Sequence, residues 1–110
     1  MTYSDAWIEA GDDDDFAKFL DQTPRIGVMP PPGKPYWIAH VKNWAQRESL
    51  AIEHPDYNVV RVHVTKTQLQ RFMQEMLGHQ LHTGDPATLV GYVWHKCHDD
   101  RTYVIGADEY

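Results

Sequence analysis

Asn58-Val59-Val60-Arg61-Val62-His63-Val64-Thr65 runs directly into Lys66-Thr67-Gln68-Leu69-Gln70-Arg71-Phe72-Met73-Gln74-Glu75-Met76-Leu77-Gly78. Within this stretch the hydrophobic period changes from two to 3.6. Val60, Val62 and Val64 fall on one side of an extended chain, and Val59, Arg61, His63 and Thr65 on the other, which is the pattern of a strand with one buried face. Leu69, Phe72, Met73, Met76 and Leu77 then recur at i, i+3, i+4, i+7 and i+8, the stripe of an amphipathic helix from Thr67 to Leu77. Gln68, Gln70, Arg71, Gln74 and Glu75 lie on its polar side. Thr65 or Thr67 supplies an N-cap hydroxyl, and Gly78 the left-handed stop. The apolar stripe matches the valine face, so the pair predicts a helix laid on one face of a sheet.

Working toward the C-terminus, His79 to Pro86 reads as a polar loop. Leu89 to Cys97 and Thr102 to Ala107 read as a β-hairpin turning at His98-Asp99-Asp100-Arg101, with Val90, Tyr92 and Trp94 across from Tyr103 and Ile105. Working toward the N-terminus, Glu53-His54-Pro55-Asp56 is a turn, Ala45 to Ile52 a helical turn, and Tyr36 to Trp44 a strand on its β-branched and aromatic content. Thr23 to Pro35 is punctuated by Pro24, Pro30-Pro31-Pro32-Gly33 and Pro35. Consecutive prolines favour stiff polyproline II geometry. The first segment, Tyr3 to Gln22, reads as two short helices broken near Gly11, the second starting inside Asp12-Asp13-Asp14-Asp15 because aspartate caps helices well.

The expected fold is therefore α+β, with N-terminal short helices, a mostly antiparallel sheet of about four strands and one amphipathic helix on a face, in the order ααββαββ. The 110 residues are expected to form one domain, 1–110. The aromatic content (4 Trp, 6 Tyr and 3 Phe) supplies enough apolar area to build a core without staples. The single cysteine, Cys97, excludes an intramolecular disulfide framework. The first residues lack a basic and apolar leader pattern, and no apolar run reaches the ~20 residues a spanning helix needs. A cytoplasmic protein with no membrane contact is the expectation.

Formal net charge is −6, which repels phosphate backbones and argues against direct nucleic-acid binding. It suits another protein as partner, a basic or nucleic-acid-binding one in particular. Candidate partner-binding residues are Asp12, Asp13, Asp14 and Asp15, the densest charge in the chain, with Tyr36 and Trp37 as aromatic anchors beside the prolines. Size, acidity and the lack of a nucleophile elbow or phosphate loop are common among small inhibitor and immunity-type proteins. The first expectation is thus a binding or inhibitory protein that blocks another macromolecule, with no catalytic residue and no cofactor.

Two alternatives draw on other residues. His79, His82, Cys97 and His98 offer the ligand types zinc takes, in two short-spaced pairs, although a zinc finger would carry paired cysteines. His40 and His63 on neighbouring strands would make an acid–base pair, and Cys97 flanked by His95, Lys96 and His98 a nucleophile. These lead to a small metal-dependent or histidine-based enzyme. The second alternative is a small-molecule-binding module with aromatics lining a pocket under the helix.

Overall fold

The computed structural model describes residues 4–22, 36–78 and 81–109. Its elements follow in the order β1 (Ser4–Glu9), α1 (Asp14–Leu20), α2 (Trp37–Arg47), β2 (Glu53–Asp56), β3 (Val59–Val64), α3 (Lys66–Leu77), α4 (Leu89–His95) and β4 (Tyr103–Glu109). The strands form one antiparallel sheet in the order β1-β4-β3-β2. The protein is α+β, as the valine-to-helix stretch predicts.

That stretch folds as read. Val60, Val62 and Val64 are buried, and Leu69, Phe72 and Met73 of α3 join them in the same core cluster. Thr65 is the N-cap. Its hydroxyl accepts from the Gln68 amide at 3.2 Å while the Gln68 side chain accepts from the Thr65 amide at 2.9 Å, a reciprocal capping box. Gly78 closes the helix at φ 53°, in the left-handed half of the map.

Four other segments take a different form from the one predicted. Residues 4–9 are a strand and not a helix. Ala6, Ile8 and Ala10 alternate inward, and pairing with β4 in an unbroken register from Ser4↔Glu109 to Glu9↔Val104 outweighs the helix propensity of alanine. The second expected helix does start inside the Asp run, with Asp13 as N-cap. Residues 37–47 are a helix and not a strand. Trp37, His40, Val41, Trp44 and Ala45 are all buried, and they recur at i, i+3, i+4, i+7 and i+8. This helical spacing overrides the strand-like composition of the segment. Residues 89–95 are likewise a helix: Thr88 caps it by accepting from the Gly91 amide at 3.0 Å, and Gly91 and Val93 are buried within it. β4, deprived of that hairpin partner, pairs with β1 on one side and β3 on the other. Glu53-His54-Pro55-Asp56, read as a turn, is the exposed edge strand β2, where proline is tolerated because its missing N–H can face solvent. The proline segment 23–35 lies outside the described residues.

The sheet has two distinct faces. One carries Ala6 and Ile8, then Ile105 and Ala107, then Val60 and Val62, in the rows Ile8↔Ile105↔Val62 and Ala6↔Ala107↔Val60. α2 lies over it and touches β1, β3 and β4. α3 is held beside α2 by the edge-to-face pair Trp44–Phe72, 5.2 Å between centroids, and also packs on α4. α2 ends in a Schellman turn. Leu50 N–H donates to the Ala45 carbonyl at 2.8 Å and Ser49 N–H to the Gln46 carbonyl at 3.1 Å, with Ser49 at φ 59° where glycine is usual. The opposite face carries Trp7, Glu9, Arg61 and His63, and the Trp7 indole lies over Gly106, where a Cβ would overlap the ring.

Candidate functional site

The Asp run begins at a turn that only glycine allows. Gly11 has φ 59°, and a Cβ on it would overlap the Thr102 carbonyl. This close approach brings the chain leaving β1 against the chain entering β4. Asp12 secures it: its carboxylate accepts from the Thr102 amide at 3.1 Å, and its carbonyl accepts from Arg101 Nη1 at 3.4 Å. The run then divides. Asp13 is buried, whereas Asp12, Asp14 and Asp15 are exposed.

Asp13 is the centre of a buried polar cluster. Its Oδ1 accepts from the Phe16 amide at 3.1 Å, and its Oδ2 accepts from the Tyr103 hydroxyl at 2.8 Å. The same hydroxyl accepts from the His98 amide at 2.9 Å. Burial, foremost, pushes the Tyr103 hydroxyl well above the ordinary phenol value, and its bonds to Asp13 and Cys97 add to that. Cys97 lies against this hydroxyl, and burial pushes its thiol up to about 11, with the Asp13 charge acting in the same direction. A thiol so placed is protonated at neutral pH, the reverse of what a nucleophile needs. Phe16 seals the cluster, stacking on Tyr92 at 5.2 Å and meeting Tyr103 edge-on at 5.5 Å.

Because Thr102 and Arg101 are tied to Asp12, the turn His98-Asp99-Asp100-Arg101 is anchored at the start of α1. Asp99 and Asp100 are exposed there. One end of the molecule thus gathers Asp12, Asp14, Asp15, Asp99 and Asp100, with Arg101 and Lys18 as neighbouring cations. Asp12–Asp15 stands out in the sequence as a dense charge run, whereas His98-Asp99-Asp100-Arg101 has the composition of an ordinary hairpin turn. The signal for joining them was the glycine before Asp12, whose partner across the turn no local rule identifies.

The remaining candidates are placed as follows. Trp37, 2% exposed, has its indole in the core, and its backbone N–H donates to Ser4 Oγ at 2.7 Å. Tyr36 is half-buried just before α2. His40 is buried in α2 on the core side, while His63 is exposed on the other face of the sheet, so the two do not form the expected pair. His63 instead meets Glu53 at 3.2 Å. Among the described residues no group of three or more His, Cys, Asp or Glu side chains is placed to hold a metal ion, so His82, Cys97 and His98 do not converge on one; His79 lies outside those residues. Also among the described residues, no helix is long and apolar enough to cross a membrane.

The open face of the sheet carries a second polar cluster. Arg61 grips Glu9 with Nε to Oε2 at 3.0 Å and Nη2 to Oε1 at 2.8 Å, and Trp7 Nε1 donates to Oε2 at 3.0 Å. Partial burial by itself would raise the Glu9 pKa. The bonds from Arg61 and Trp7 and the guanidinium charge outweigh it, and Glu9 titrates below the usual carboxylate value. Comparisons with protein-family models, with curated proteins and with solved structures return no match for this chain.

Proposed function

We propose that this protein is a binding or inhibitory protein that engages a basic surface of another protein through the acidic end formed by α1 and the 98–101 turn. The observation that supports the reading is the bond from the Thr102 amide to the Asp12 carboxylate, which brings the turn carrying the exposed Asp99 and Asp100 to the start of α1 and extends a local acidic run into a surface built by the fold. Carboxylates gathered on a rigid frame raise the local potential, steer a cationic partner into encounter and fix its register. The core-facing part of the run, Asp13, holds that frame, and the exposed part meets the partner.

The test compares affinity capture by the full chain and by the variant Asp14→Lys/Asp15→Lys/Asp99→Lys/Asp100→Lys from the native host. The reading expects one stoichiometric protein partner with the natural chain, weakened steeply by added salt, and its loss with the variant. A partner retained equally by both, or held independently of salt, overturns it.

A further inference from the structure

We draw no further inference here: the strongest candidate, the shallow groove beside α1 lined by Phe19, Gln22, Pro86, Ala87, Tyr92 and Lys96, carries none, because nothing in the structure shows what covers its apolar floor.

Discussion

Asp13 and Glu9 are close neighbours in the chain, and each is the centre of a polar cluster, but the two clusters are built on opposite principles. Asp13 is 5% exposed and pairs with neutral donors, the Phe16 amide and the Tyr103 hydroxyl. Glu9 keeps 38% of its side chain exposed and pairs with a cation, Arg61. In the interior an unmet hydrogen bond carries its full desolvation cost, so every member of the Asp13 cluster depends on the others. On the open face water replaces whatever is lost, and a pair exposed to this degree contributes little to stability. The difference separates a carboxylate buried among neutral donors from one left in contact with water, and the same division between buried and exposed runs through Asp12–Asp15 itself.

The contrast can be broken or sharpened by a graded set of substitutions. Phe72→Ala gives the apolar reference. The ring is fully buried, and its loss should cost about 3–5 kcal/mol in urea unfolding, a scale against which both clusters are judged. Asp13→Ala should follow at about 2–4 kcal/mol, because it removes the α1 cap and strands the Tyr103 hydroxyl. Combined with Tyr103→Phe it should be clearly non-additive; additive costs would mean the two groups do not act as a unit. Cys97 should react with a thiol reagent at pH 8 at least about tenfold more slowly than a free cysteine, since burial keeps it protonated. Labelling at the free rate would show that the Asp13 cluster opens readily.

Glu9→Gln should cost no more than about 1 kcal/mol at neutral pH. Its pKa is lowered in the folded state, so its contribution is present above the unfolded value near 4.5 and is lost as pH falls below that. The variant should therefore have a flatter acid limb in a plot of Tm against pH. An acid limb identical to that of the natural chain would show that the Arg61–Glu9 contact adds nothing. The smallest effect is expected at Tyr57, 93% exposed at the tip between β2 and β3, where Tyr57→Ser should change stability by less than about 0.5 kcal/mol.

The sequence by itself determined β3 and α3, because there the local signals agree: the change of period and the glycine stop at Gly78 mark a strand followed by a helix, and the structure then chose Thr65 over Thr67 as its cap. It also determined that α1 begins inside the Asp run, since capping is a contact between near neighbours. Only the tertiary structure decided that 4–9 is a strand, because an alternation as short as Ala6, Ile8, Ala10 acquires its meaning from β4, which lies at the far end of the chain. The same holds for 89–95, whose aromatic and β-branched residues suit a strand locally and a buried helix globally, whereas 37–47 carries a helical spacing in its sequence that competes with its strand-like composition, and burial against the sheet resolves the two. The candidate site divides in the same way. Asp14 and Asp15 were legible as exposed charge. The burial of Asp13 and the arrival of Asp99 and Asp100 depend on contacts between residues far apart in sequence, and no local energy specifies those.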